Sequence, residues 1–204
     1  TYKARTYGGA DYMVAKVGGL WDSLLGEGRH FWTFVNSDFH SDFWGTEAAD
    51  FWPGEYAKQY TFVTGDDLED IVHGLKSGNT FSVHGDLIDD LRFEVRSGSK
   101  DATMGQTLKV KKNAVVTVVV KFHTPAKNNN GDKPQVDHVD LIGGNVTAPA
   151  APGTPEYAAD TNPTTKVITT FDDDDWWTKN GCYKVSFRIK ASKDMYLRLR
   201  GTNM

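Results

Sequence analysis

The chain has 204 residues, of which 39% are hydrophobic, 25% charged and 12% aromatic; at roughly 100–200 residues per domain that is one large domain or two small ones, able to bury ~70% of the unfolded surface, and wholesale disorder is excluded. No run approaches ~18 consecutive apolar residues, so no transmembrane helix is expected. A net charge of −4 argues against a nucleic-acid partner, and the one cysteine, Cys182, forms no intrachain disulfide and leaves the compartment open, with an exported or cell-envelope location the leaning.

The first residue is Thr1, with no charged-then-apolar leader after it, as in a processed chain or a fragment. From Ala10 to Leu25 the apolar residues Met13, Val14, Val17, Leu20, Trp21, Leu24 and Leu25 recur at spacings of three and four. That pattern predicts a helix with one buried face. Gly18-Gly19 predicts a kink or close backbone packing within it, and Gly26 and Gly28 supply the stop. Phe31-Trp32-Thr33-Phe34-Val35 reads as a strand covered on both faces, as in a parallel sheet. The polar burst Asn36-Ser37-Asp38-Phe39-His40-Ser41-Asp42 then falls at a strand's C-terminal end, where α/β barrels keep their chemistry.

Residues 41–58, with Trp44, Phe51, Trp52 and Pro53-Gly54, read as a long loop of the functional or lid-like kind. Its aromatic cluster, Tyr56 included, reads alternatively as an assembly surface through which the chain would form an oligomer. Tyr60-Thr61-Phe62-Val63 is a short strand. Asp66-Asp67 opens a helix with Leu68, Ile71, Val72 and Leu75 on one face, the acids sitting at its positive end, and Ser77-Gly78-Asn79 closes it. Thr80-Phe81-Ser82-Val83 is the next strand. Beyond Asp90 the helical period disappears. Strands are expected at Leu91–Val95, 115–122, 136–142, 166–171, 183–189 and 196–199, separated by polar or Gly-containing loops. That is the spacing of an antiparallel β-sandwich.

The constellation of most interest is Asp38 with His40. A carboxylate and an imidazole two residues apart suit Zn, Mn or Fe, although a polar turn with a hydrogen-bonded histidine has the same pattern. No P-loop, Gly-x-Gly-x-x-Gly, His-Glu-x-x-His, Gly-x-Ser-x-Gly or Cys-x-x-Cys motif occurs, which removes weight from several enzyme classes. His84 ends a strand where it can face a site, and Glu55 and Tyr56 lie in the loop after the candidate metal motif, where they can touch substrate. His30 reads as hydrogen-bonded or exposed, His73 as solvated, and His123 and His138 as surface residues. Asp172-Asp173-Asp174-Asp175 lacks the EF-hand spacing and reads as a solvated turn. Trp176-Trp177 suits either sugar stacking or core packing, and Cys182 a small buried hydrophobe.

Val35-Asn36-Ser37-Asp38-Phe39-His40 resembles the final metal motif, Ser-Asp-x-His, of the polymerase and histidinol phosphatase (PHP) metallo-hydrolases. Pro53-Gly54-Glu55-Tyr56, Tyr60–Val63 and the run Asp67–Phe81 resemble that family's post-motif loop, strand, and closing helix, Gly and aromatic strand. Gly85-Asp86-Leu87-Ile88 followed by Phe93 fits the step into an appended β-domain. The resemblance covers roughly residues 8–96. It implies a mixed α+β chain: the last βα elements of a distorted α/β barrel over 1–88, then an Ig-like antiparallel β-sandwich over 89–204. It further implies a phosphoesterase in which two or three divalent metals activate water, with Asp38 on one metal and His40 on a neighbour. The family's earlier ligands, a His-x-His, a Glu and further histidines, are absent, and no histidine precedes His30. Catalytic zinc usually keeps three protein ligands. The expectation is therefore a C-terminal part whose remaining barrel comes from the same gene product or a separate chain. The alternative is a non-catalytic binding or envelope protein using the sandwich and the aromatic loop.

Overall fold

The structure, a computed structural model, describes residues 10–37, 39 and 52–204. The order is α1 (Tyr12–Ala15), α2 (Leu20–Gly26), β1 (Ala57–Thr61), α3 (Leu68–Ser77), β2 (Thr80–His84), β3 (Asp90–Ser97), β4 (Lys100–Thr103), β5 (Ala114–His123), β6 (His138–Asn145), β7 (Lys166–Phe171), β8 (Trp177–Lys179), β9 (Cys182–Ala191) and β10 (Met195–Thr202). The chain is mixed α+β and rich in sheet. Every strand pair is antiparallel, and among the described residues no sheet closes into a barrel.

Alternation builds the larger part. Along β9, Tyr183, Val185, Phe187 and Ile189 turn inward while Cys182, Lys184, Ser186, Arg188 and Lys190 are exposed, the period-2 signature of a strand with one wet face. A five-stranded sheet, β4-β3-β5-β9-β8, and a three-stranded sheet, β10-β6-β7, share one core. Val118, Val120 and Phe122 come from one sheet and Val139, Leu141 and Phe171 from the other. Trp176 packs its edge on Phe122, and Phe171 meets Phe187 across the layers at 6.0 Å. The two layers make a sandwich-like arrangement. The short edge strands β4 and β8, inside stretches read as loops, were not expected.

The 10–25 helix is corrected to two short ones. Gly18 adopts φ 74°, a left-handed conformation that breaks the helix between α1 and α2. The buried face is also not the expected one. Ala15, Asp22 and Gly26 are buried, while Tyr12 and Leu20 are exposed.

Asp22, 0% exposed, is the reason. Arg198 of β10 binds it through both ends of the carboxylate, Nε to Oδ1 and Nη2 to Oδ2, each at 2.7 Å. The Gly18 amide donates to Oδ2 at 2.7 Å and the Tyr196 hydroxyl to Oδ1 at 3.0 Å. Burial, beside this carboxylate, raises the Tyr196 hydroxyl well above its ordinary range, so it stays a donor. Asn162 then donates to the Asp22 carbonyl and lies where any Cβ on Gly26 would collide with it. Alongside, Arg200 pairs with Asp140 at 2.6 Å and donates to the Ala15 carbonyl. Residues 10–28 are thereby clamped to the outer face of the three-stranded sheet by polar groups, not by an apolar stripe.

The Phe31–Val35 strand is also corrected. Residues 29–37 form no regular element, and Phe31 and Phe34 are exposed. A strand covered on both faces needs neighbouring strands, and among the described residues β1 pairs only with β2. The strand expected at 60–63 lies at Ala57–Thr61, leaving Phe62 and Val63 exposed.

Asp22→Ala strands a buried guanidinium and is expected to cost roughly 3–5 kcal/mol. Asp22→Leu with Arg198→Met is expected to recover most of it. Urea unfolding of the single and double variants measures both.

Candidate functional site

β1 and β2 form a two-stranded antiparallel ribbon in register from Ala57–His84 to Thr61–Thr80. Tyr60 stacks on Phe81 at 4.8 Å between ring centres. Gln59 fastens the incoming chain. Its Oε1 accepts from the Val35 amide at 3.2 Å and from Ser82 Oγ at 2.7 Å, and its amide donates to Thr80 Oγ1. Trp32 is anchored by Nε1 donating to the Lys76 carbonyl at 3.1 Å. Gly78, at φ 74°, ends α3 against the Trp32 ring, where no Cβ fits.

Asp38 and His40, the expected metal ligands, lie outside the described residues, as do Trp44 and Phe51 of the expected lid. Phe39 is described and stacks on Trp52 at 5.0 Å. Glu55 Oε2 accepts from the Trp52 amide at 2.9 Å, closing the turn that leads into β1. The adjacent carbonyl of Tyr56 accepts from Gly85 at 2.8 Å, which brings 55–56 beside the end of β2. Tyr56 and His84 are thus neighbours, with ring centres 5.3 Å apart. Three residues the sequence marked as substrate contacts, Glu55, Tyr56 and His84, are gathered at one end of this ribbon.

His84 carries the distinctive chemistry. Its Nδ1 is buried and has no hydrogen-bond partner among the described residues. Burial lowers its pKa, which favours the neutral ring. A buried, unpaired polar atom costs about 1–3 kcal/mol. A neutral imidazole nitrogen is an acceptor or a metal ligand. Nearby, Asp86 is held by Lys58 at 2.5 Å and by the Asn129 amide at 2.9 Å. It is thereby committed to structure.

The other histidines have ordinary surroundings. His30 is exposed beside Trp32, and His73 is exposed 3.9 Å from Glu69. His123 pairs with Asp89 at 2.5 Å and His138 with Asp137 at 2.6 Å. The 172–175 acids close their own turn: the Asp174 amide donates to Asp172, the Asp175 amide to the Asp172 carbonyl, and Trp176 Nε1 to Asp173. Cys182 is a correction, being exposed on the wet face of β9. Trp176 and Trp177 divide, the first buried and the second 58% exposed. Gln59 was not anticipated, since one amide in a strand carries no sequence signal. Among the described residues no group of three or more His, Cys, Asp or Glu side chains is placed to hold a metal. Comparison with protein-family models, curated proteins and solved structures finds no match.

The lowered pKa of His84 gives a pH signature. Unfolded, the ring titrates near about 6.5. Below that value the unfolded chain binds a proton that the folded chain resists, so stability present above about 6.5 falls as pH drops toward the lower folded value. His84→Gln is expected to flatten that segment of a stability–pH curve, measured by urea unfolding at successive pH values.

Proposed function

We propose that the segment ending near residue 88 is the C-terminal part of a PHP-like metal-dependent hydrolase acting on phosphoesters. In this reading it closes one end of a distorted α/β barrel whose other elements come from the same gene product or a separate chain. The observation that carries the proposal is the orientation of α3. Its buried residue is Gly74, which faces Phe62 and Val63 so closely that no Cβ fits. Its apolar residues Leu68, Ile71, Val72 and Leu75 all point to solvent. An amphipathic helix that turns its apolar face outward is missing the layer it was patterned to cover. A two-stranded ribbon is likewise marginal alone. The antiparallel pairing of β1 and β2 is the feature a barrel remnant must accommodate at its edge.

Two or three Zn, Mn or Fe ions, when bound, would supply a water of pKa near 7 and neutralise the charge of the phosphoester oxygens. Asp38 and His40 are the ligands the Ser-Asp-x-His motif indicates. The imidazole of His84 fits such a site chemically, since its Nδ1 has no hydrogen-bond partner among the described residues. In the proposal His84, Glu55 and Tyr56 line the substrate end of the ribbon. A second reading, a binding module working through the two-sheet unit, is favoured by the exposed Trp177 and does not exclude the first.

The chain joined to its preceding barrel elements and supplied with Mn or Zn is expected to hydrolyse simple phosphodiesters or phosphomonoesters. Asp38→Ala is expected to remove bound metal, by elemental analysis, together with activity. Retained metal in that variant, or an intact protein that neither binds metal nor hydrolyses any phosphoester, contradicts the proposal. Ile71→Lys is expected to change the stability of the 204-residue chain by less than about 0.5 kcal/mol. The same variant should block association with the remaining barrel, read by co-purification.

A further inference from the structure

The outer face of the five-stranded sheet carries a row of like charges. Register places Trp177 of β8 opposite Lys184 of β9, Lys184 opposite Lys121 of β5, and Lys121 opposite Arg92 of β3. These four side chains share the face opposite the core, because their neighbours Tyr183, Phe122 and Leu91 or Phe93 pack inward. Arg188, Lys190 and Lys179 extend the same face. None of Arg92, Lys121, Lys179, Lys184, Arg188 and Lys190 has an ion-pair partner among the described residues. Glu94 on this face is engaged by Arg96. The 172–175 acids lie on the loop before β8, outside the strands.

Like charges directly opposite one another in a sheet are destabilising. Here three stand in line, in a chain whose net charge is −4. The arrangement therefore works against the fold, and a bound anion would offset it. At one end of the line Trp177 is 58% exposed and has no aromatic partner among the described residues, beside a shallow depression lined by Lys184, Val185 and Ser186. An exposed indole next to cations suits a sugar ring carrying an acid.

We propose that this face binds an anionic polysaccharide of the polyuronate type, with Trp177 stacked on one sugar and Lys184, Lys121 and Arg92 each meeting a carboxylate. Spacing selects this partner. Adjacent strands are about 4.8 Å apart, close to the length of one sugar in an extended polyuronate, so the charge repeat of the polymer can match the strand repeat. Single-stranded nucleic acid is normally gripped by several stacking aromatics, and this row has one. The proposal is independent of any hydrolysis by residues 29–88.

The test is binding of polygalacturonate to the 204-residue chain by affinity electrophoresis and calorimetry at low ionic strength. Binding is expected, weakening as salt is raised. Lys184→Glu with Lys121→Glu should weaken it at least about tenfold, and Trp177→Ala by about tenfold. The carboxyl-reduced, neutral form of the polymer should not bind. Lys184→Gln with Lys121→Gln keeps the test valid should the reversed charges upset folding. Equal binding of the neutral polymer, unchanged binding by both lysine pairs, or preference for single-stranded DNA or anionic vesicles over polygalacturonate overturns the proposal.

Discussion

A buried carboxylate holds the start of the described chain to its end. Asp22 has no exposure, four donors converge on it, and two of them belong to Arg198. Such a pair contributes little net stability compared with an apolar substitute, because both charges are desolvated. Its value lies in geometry. A bidentate guanidinium accepts one orientation of the carboxylate, and the amide of Gly18 reaches it only because the helix breaks there. The outer face of β6 and β10 would otherwise expose Tyr196, Arg198 and Arg200 side by side. With residues 10–28 in place, each of these has a protein partner.

The remainder of the chain divides by how fully its apolar surface is used. The two sheets share a buried centre, with Val118 and Leu141 at 0% exposure, ringed by partly buried residues such as Phe93, Phe187 and Leu197. Among the described residues between Arg29 and His84, Ala57, Phe81 and Val83 are buried but much other apolar surface is not. Phe31, Phe34, Phe62, Val63 and the apolar face of α3 are exposed, and the buried Nδ1 of His84 has no hydrogen-bond partner among the described residues. One unit is finished by its own sequence. The other leaves much of its apolar surface uncovered, and the proposal of further barrel structure and a metal centre attaches to it.

Period-2 alternation made β3, β7, β9 and β10 legible, while β5 was marked by its β-branched run and β6, buried on both faces, by its apolar residues. β4 and β8 were hidden because strands of four and three residues carry too little pattern. The Phe31–Val35 run shows where hydrophobicity misleads: it has strand composition, but the described chain offers no strand beside it. The 10–25 pattern misled differently. Its period was helical, while the residue that fixes the segment is Asp22, at a position the apolar periodicity assigns no role. The gathering of Glu55, Tyr56 and His84 was legible in part, through the motif order. The pairing that brings them together depends on the Ala57–His84 register, a long-range feature. Asp38 and His40 remain expectations of the motif, lying outside the described residues.

Hydrogen exchange on the chain by itself tests this division directly. Amides of β5, β6, β9 and β10 are expected to exchange slowly, and those of α2 to follow β10, since Asp22 and Arg198 couple them. Amides of α3 and the β1–β2 ribbon are expected to exchange far faster, as elements without a covering layer. Protection of α3 equal to that of β5, or loss of protection in α2 while β10 stays protected, would contradict the account.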